Sequence, residues 1–237
     1  MSGHSKWANI KRKKEANDKL KSNIFGKMSR LITLAVIQGG GITDPENNVR
    51  LRMAVEKAQS YNMPKDNIKK AIERAIGPNK TDLKEMIYEG FGPHGIYLII
   101  LATTDNSNRT LSEIKIILDK HKGKLGSQNS VLYQFNKCGL ISFDKKDINQ
   151  DEILEIVDKL AGFDFEEEID RYYIYIPYEN LGRVKELLRD KKYLNAEIYF
   201  KPKNKIEIDD DNKLNEISQL IDSLEVLDDV QKVFTNL

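Results

Sequence analysis

The chain has 237 residues, of which 40% are hydrophobic and 32% are charged, and its formal net charge is +1. This length suffices for two or three domains, because single cores usually come in lengths of about 100 to 150 residues. The single cysteine, Cys138, excludes an internal disulfide and a thiolate-rich metal site. The longest apolar run, Ile96 to Ala102, is far shorter than the roughly 20 residues of a membrane span, so we expect a soluble, cytoplasmic protein.

The charge is unevenly distributed along the chain. Residues 1–77 contain 16 basic and 7 acidic side chains, whereas residues 78–237 contain 22 basic and 30 acidic ones. This asymmetry favours a polyanion-binding N-terminal part joined to an acidic remainder. A solvated basic surface without a partner is the alternative.

The N-terminus is a basic arm, residues 1–21. Nine Lys or Arg residues and two acids lie between Met1 and Arg30. If residues 6–21 were helical, charges would surround the helix and leave no wide apolar stripe to bury. The arm is therefore predicted to contact an anion outside the chain, such as a nucleic-acid backbone. Two roles are open for Trp7: stacking or wedging against nucleic acid, or anchoring the arm to the rest of the protein.

Residues 23–76 are predicted to form a bundle of three helices, because their apolar residues recur at a spacing close to 3.6. The first helix runs from Ile24 to Gln38 and ends at Gly39-Gly40-Gly41. The second follows Asp44-Pro45-Glu46, and the third has Pro64 in its first turn.

The next segment is predicted to begin with a β-hairpin. Met86 to Phe91 and Ile96 to Thr104 are rich in β-branched and aromatic residues and flank a Gly-Pro-His-Gly turn. A helix from Leu111 to His121 follows, and Thr110 with Glu113 is expected to form a capping box at its start.

Two consecutive strand-helix-strand units then predict a ferredoxin-like α+β domain. The residues that follow are too few to form a core of their own, so we expect them to complete the sheet begun at Met86. The result is a multidomain α+β protein with three domains: 1–78, the basic arm and helical bundle; 79–137 plus 204–237, a discontinuous α+β domain; and 138–203, the inserted ferredoxin-like domain. The predicted strands after the hairpin are Val131 to Phe135, Leu140 to Phe143, Phe163 to Ile169, Tyr172 to Ile176, Ala196 to Phe200, Lys205 to Ile208 and Val230 to Phe234. Further helices carry the apolar residues Ile153 to Ala161, Leu181 to Leu188 and Leu214 to Leu224.

The titratable residues show no convergent catalytic set. The three histidines, His4, His94 and His121, have no metal-ligand spacing to one another or to Cys138. We therefore predict no enzymatic activity, no metal and no cofactor.

Tyr173 and Tyr175 alternate with two isoleucines in a predicted strand. We expect the isoleucines to face the core and the tyrosines to face away from it. The tyrosines then either stack on RNA bases or pack against neighbouring strands.

Seven motifs stand in order along the chain: Gly3 to Lys11, Gly39-Gly40-Gly41, Asn62-Met63-Pro64-Lys65-Asp66, Tyr88 to Pro93, Asn108-Arg109-Thr110, Ser130-Val131 with Tyr133 and Phe135, and Asp228-Asp229-Val230-Gln231. Together they closely resemble those of the YebC/PmpR family, bacterial proteins related to the mitochondrial translational activator of cytochrome c oxidase. The resemblance covers essentially the whole chain and implies three domains and a regulator of gene expression without enzymatic activity, generally a DNA-binding transcriptional regulator. Relatives also resemble translation factors that act at the ribosome. His94 departs from the small residue common in the family.

The predicted partner is nucleic acid, either DNA or, in the alternative, ribosomal RNA on the ribosome, and no membrane is expected. Sequence readout should be weak, because no helix-turn-helix recognition helix is evident. A ribosome-associated factor would bind through the same residues. The predicted nucleic-acid contacts are Lys6, Trp7, Asn9, Lys11, Arg12, Lys13, Lys14, Lys21, Lys27 and Arg30.

Overall fold

The computed structural model describes residues 21–78, 80, 82–189 and 191–237, with side chains from residue 23 onward. They form two compact units: one contains the described residues up to Phe135 together with Pro202–Leu237, and the other is Asn136–Lys201. Within this described part, no helix has both the length and the apolar character needed to cross a bilayer. In chain order the elements are α1 (Lys21–Gln38), α2 (Val49–Ser60), α3 (Lys65–Ile76), β1 (Lys84–Phe91), β2 (Tyr97–Thr104), α4 (Ser107–Lys120), β3 (Lys124–Leu125), β4 (Phe135–Asp144), α5 (Gln150–Lys159), β5 (Asp164–Glu167), β6 (Arg171–Pro177), α6 (Val184–Leu187), β7 (Asn195–Pro202), α7 (Asp211–Glu225) and β8 (Val230–Thr235).

The bundle consists of α2 and α3 packed on α1. Ile32, Leu51 and Ala71, one from each helix, are fully buried at its centre. Helix α1 ends where Gly40 and Gly41 adopt positive φ angles of 70° and 84°, a conformation that glycine adopts without strain. The three helices predicted from the apolar spacing are confirmed.

The first unit also contains a four-stranded antiparallel sheet of order β3-β1-β2-β8. Helices α4 and α7 supply Ile114, Leu118 and Ile217 to the core beside this sheet. The last strand pairs with β2, with Ile99 opposite Phe234. The prediction of a sheet completed by the C-terminal residues is therefore confirmed.

The second unit has a four-stranded sheet of order β5-β6-β4-β7, in which β6 is antiparallel to both β4 and β5. Helix α5 follows its first strand, and a 3-10 turn with α6 lies between its last two strands. This order and connectivity are those of a ferredoxin-like domain, as predicted. The division into three domains with the boundaries given above stays a prediction.

Helix α4 begins earlier than predicted. Its N-cap is Asn106, whose Oδ1 accepts a hydrogen bond from Arg109 N–H at 3.1 Å. Thr110 lies inside the helix, so the expected Thr110–Glu113 capping box is wrong. The Thr110 hydroxyl instead lies 2.7 Å from a carboxylate oxygen of Asp229, a contact that local sequence cannot indicate.

Two predicted strands are absent from the described residues. Leu132–Gln134 form a 3-10 turn, because the N–H groups of Val131 and Leu132 donate to the Glu89 carboxylate and not to a neighbouring strand. Residues 205–208 are irregular. The strand predicted from Leu140 to Phe143 is part of the longer β4.

Candidate nucleic-acid interface

Most of the predicted nucleic-acid contacts belong to the basic arm. Lys21 is the first residue of α1, and its side chain is not described. Lys27 and Arg30 lie further along α1, and the structure describes their side chains. Seven of the predicted residues lie outside the described residues: Lys6, Trp7, Asn9, Lys11, Arg12, Lys13 and Lys14.

The first half of α1 is bound to the end of α7. Lys27 is buried, and its ammonium donates to the backbone carbonyl of Glu225. Burial lowers the pKa of Lys27, and the negative charges of Glu225 and Asp228 oppose this effect in part. Asn23 Nδ2 donates to the carbonyl of Val226 at 2.7 Å. Lys27 therefore has an intramolecular role, and its contact with phosphate stays a prediction.

Arg30 meets a buried carboxylate on the turn between α7 and β8. Its Nη1 donates to Asp229 Oδ1 at 2.7 Å, and Asp229 is 3% exposed. Arg109 Nη2 donates to Asp229 Oδ2 at 2.8 Å, and the hydroxyls of Thr104 and Thr110 lie 3.0 Å and 2.7 Å from the same oxygen. Burial alone would raise the pKa of Asp229, but these hydrogen bonds and the Arg30 charge hold it below its ordinary value. One carboxylate thus connects α1, β2 and α4 to the turn before β8.

A four-residue turn, Tyr61–Pro64, connects α2 to α3. Met63 is buried in the bundle, and its N–H donates to the carbonyl of Ala58 at 3.0 Å. Asn62 adopts a positive φ of 59°, which asparagine tolerates better than most residues. The connection has the length of a helix-turn-helix turn, although the sequence showed no recognition helix.

Helix α3 presents cations to solvent. It buries Ile68, Ala71 and Ala75 and therefore directs its charged residues outward. The Lys69 ammonium lies 3.9 Å from the Glu73 carboxylate. Because both side chains are exposed, this ion pair contributes little to stability and leaves the ammonium available to bind a phosphate. The exposed cations of α3 are Lys65, Lys69, Lys70 and Arg74, and Arg50 is exposed on α2.

These cations are functional candidates that the sequence reasoning missed. It concentrated on the N-terminal arm, yet residues 21–76 alone contain ten Lys or Arg and five acidic residues. Because the apolar stripe of α3 was read correctly, the outward position of its lysines followed from the same pattern. That signal was available in the sequence.

A loop beside β1 is held by a buried carboxylate. Glu89 is 5% exposed. Its carboxylate accepts hydrogen bonds from the N–H groups of Asn129 at 2.5 Å, Val131 at 2.6 Å and Leu132 at 2.7 Å. The Gly126 N–H also donates to the backbone carbonyl of Glu89 at 2.8 Å. The segment 126–134 is therefore fixed on β1.

In the ferredoxin-like unit, Tyr175 was predicted to face solvent, and this prediction is wrong. Tyr175 is 4% exposed, its hydroxyl donates to Glu166 at 2.9 Å, and Lys201 Nζ lies 3.5 Å from the centre of its ring. Burial, with the negative charge of Glu166, raises the pKa of Tyr175. Its ring is not available for base stacking, and it packs against Tyr199 at 5.7 Å between ring centres. The packing interpretation holds for this residue.

Cys138 is a buried thiol, whose pKa burial raises to about 11. Its Sγ lies 3.6 Å from the carbonyl of Tyr199. Among the described residues, no group of three or more His, Cys, Asp or Glu side chains could hold a metal ion.

Comparison with known families matches both parts of the chain. Residues 5–78 match the family described as "TACO1/YebC protein N-terminal domain", and residues 83–237 match "TACO1/YebC second and third domain". The chain belongs to the TACO1/YebC family.

Relatives match the chain over its full length. Proteins called "probable transcriptional regulatory protein" are 38% identical in Finegoldia magna and 42% identical in Thermoanaerobacter pseudethanolicus. Each alignment covers 100% of this chain, with 98% and 97% of the relative, respectively. The crystal structure of a conserved hypothetical protein, Aq1575 from Aquifex aeolicus, is 36% identical and has a TM-score of 0.83 over 92% of this chain and 90% of that one.

Segments that resemble YebC/PmpR motifs in sequence meet in pairs in the structure. Asn108-Arg109-Thr110 contacts Asp229 of the Asp228 to Gln231 motif. Glu89, within the Tyr88 to Pro93 motif, binds the loop that contains Ser130-Val131. Segments far apart in sequence thus form two hydrogen-bonded contacts, each around a buried carboxylate.

Proposed function

We propose that the chain is a non-enzymatic regulator of gene expression that binds DNA through the basic arm and the exposed cations of α2 and α3. The observation that carries this proposal is the outward set of four cations on α3. The names of the relatives, probable transcriptional regulatory proteins, support the regulatory role.

The spacing of these cations suits a phosphate backbone. Lys65 and Lys69 lie one helical turn apart, as do Lys70 and Arg74, so two rows of charge run along the helix. A turn advances by about 5.4 Å. Successive phosphates of one DNA strand are spaced about 3.4 Å apart along the DNA axis, so cations one helical turn apart can contact phosphates of the same strand. Such contacts position a protein on DNA without reading its sequence.

Affinity for a labelled DNA duplex, measured by fluorescence anisotropy, tests the proposal. We expect replacement of Lys65, Lys69 and Lys70 by glutamate to weaken binding strongly, because each reversal removes one phosphate contact and adds repulsion. The matched control reverses three exposed lysines outside the bundle, Lys115, Lys159 and Lys213.

Equal loss of affinity in both triple variants would show a general charge effect and contradict an interface on α3. Co-sedimentation with ribosomes that survives DNase would identify ribosomal RNA as the partner and contradict the DNA proposal.

A further inference from the structure

The loop 126–134 has an exposed, uncharged tip. Ser127, Gln128 and Asn129 are all exposed to solvent. Tyr133, on the 3-10 turn that follows, is 60% exposed. The loop therefore exposes hydroxyl and amide groups at its tip and an aromatic ring four residues after Asn129.

The hydrogen bonds to Glu89 order the backbone behind this tip. A carboxylate that is 5% exposed loses most of its hydration, and the three loop N–H groups replace it. The Ser130 N–H also donates to the Ser127 carbonyl at 3.1 Å. Because the loop is ordered before any partner arrives, less conformational entropy is lost on binding.

Cations flank the loop. Lys122 and Lys124 precede it and are exposed. Lys203, also exposed, is placed beside its end, since its backbone N–H donates to the carbonyl of Gln134 at 2.8 Å. Basic residues around an exposed aromatic ring and amide side chains are typical of surfaces that bind single-stranded nucleic acid.

We propose that the loop 126–134 binds unpaired bases of a single-stranded nucleic acid, with Tyr133 stacking on a base. Gln128 and Asn129 hydrogen-bond to base edges, and Lys122, Lys124 and Lys203 neutralise phosphates. The loop would be a second contact, distinct from the cations of α3. This proposal rests on the proposed function only in taking nucleic acid as the class of partner.

A nucleic acid fits this surface better than a protein. Val131 and Phe135 are buried, and Tyr133 is the one large hydrophobic side chain among residues 126–134 that is exposed. Protein interfaces draw most of their affinity from a desolvated cluster of apolar and aromatic side chains, which this loop does not offer.

The test measures binding of fluorescein-labelled RNA and DNA single strands of the same sequence, about 12 nucleotides long. We expect Tyr133→Ala to weaken binding roughly 10-fold or more, because one stacked base is lost. Tyr133→Phe keeps the ring and should bind within about twofold of the wild type. Stronger binding of the RNA strand than of the DNA strand would show that the 2′-hydroxyl is recognised, and equal binding that the bases and phosphates suffice.

The matched control is Phe163→Ala, an exposed aromatic residue of the other unit, which is 51% exposed. Far-UV circular dichroism and Tm confirm that each variant is folded. Because Tyr133 is uncharged, its replacement should leave the salt dependence of binding unchanged, whereas charge reversal on α3 should reduce it.

Equal affinities of Tyr133→Ala and Phe163→Ala would overturn the loop proposal and leave the proposed function standing. Binding of duplex DNA without binding of either single strand would do the same. Loss of single-strand binding in Tyr133→Ala, with no effect of the α3 charge reversal on duplex binding, would support the loop and contradict the proposed function. A third outcome is that Tyr133→Ala leaves the binding of both single strands unchanged but abolishes chemical cross-linking of the chain to another protein. The partner of the loop would then be a protein, and the proposal would be wrong.

Discussion

Arg30 Nη1 lies 2.7 Å from Asp229 Oδ1, a contact between residues 199 positions apart in sequence. Arg109 and two threonine hydroxyls bind the other oxygen of the same carboxylate. Asp229 therefore keeps a positive partner even when Arg30 is removed. Its two arginine partners are not equivalent, because Arg30 alone comes from the helical bundle.

Replacement of Asp229 should destabilise the protein more than replacement of Arg30. Asp229→Ala leaves the buried Thr104 hydroxyl without its carboxylate acceptor and removes the charge that Arg30 and Arg109 bind. The Thr110 hydroxyl keeps the carbonyl of Asn106, 3.1 Å away. We expect a loss of about 3 kcal/mol in the free energy of unfolding. Arg30→Ala should cost about 1 kcal/mol, since Arg109 still compensates the carboxylate and Arg30 is partly exposed. Urea unfolding followed by circular dichroism measures both. Lys70→Ala, at an exposed position, is the control, and equal effects of all three would contradict the role given to Asp229.

The same carboxylate should contribute to acid sensitivity. Its pKa in the folded state is held below the ordinary value of 3.8, so the folded protein binds this proton less readily than the unfolded chain. The stabilisation is fully present above pH 3.8 and is lost as the pH falls through the lower, folded-state pKa. We expect Asp229→Asn to reduce the slope of stability against pH below 3.8. An unchanged slope would show that Asp229 titrates alike in both states.

Glu89→Gln should loosen the loop 126–134 selectively. A glutamine has one acceptor oxygen and an amide group that cannot accept, so at least one of the three loop N–H groups loses its partner. Hydrogen exchange at Asn129, Val131 and Leu132 should become faster, while exchange in α1 stays as it was. Glu85→Gln, on the same strand, is the control. Unchanged exchange at these amides would mean that Glu89 does not order the loop.

Replacing two glycines of the helical bundle by alanine should change the stability of the protein in opposite directions. A Cβ at residue 39 would lie 2.2 Å from Asn48 Nδ2 and would clash with it. The buried Asn48 side chain caps α2 and also donates to the carbonyl of Ala35. Gly39→Ala should therefore cost about 2 kcal/mol. A Cβ at residue 26 meets only Asn23 Oδ1, at 3.7 Å, so Gly26→Ala should stabilise α1 by about 0.5 kcal/mol. Thermal unfolding of the pair is the measurement, and a shift of both Tm values in the same direction would contradict this packing.

The sequence predicted the elements whose signal is local. The apolar stripes of α1 to α3 and the β-rich hairpin strands were recognisable, because period and composition reflect which side is buried. The start of α4 was not, since Asn106 and Thr110 are both good caps and only the distant Asp229 distinguishes them. The strand predicted at Val131 failed for a similar reason, because its N–H is taken by Glu89, 42 residues earlier.

The candidate interface was predictable in kind and incomplete in detail. A basic N-terminal region was evident from charge alone. The inward position of Lys27 was not, because a lysine on a helix indicates nothing about a carbonyl at the end of another helix 198 residues away. The Gly, Ser and Asn residues at 126–130 indicate a loop, but its attachment to Glu89, about 40 residues earlier, had no local signal.

The salt dependence of DNA affinity tests the central claim most directly. For a duplex of fixed sequence, log K should fall linearly with log salt concentration, by about 0.9 per phosphate contacted. With six to ten contacts, affinity should fall by roughly three to five orders of magnitude between about 50 and 200 mM salt. Charge reversal of Lys11 to Lys14 should abolish most binding, and the α3 triple variant should reduce the slope by about 3. A slope that is the same in the wild type and both variants would contradict DNA binding through the arm and α3.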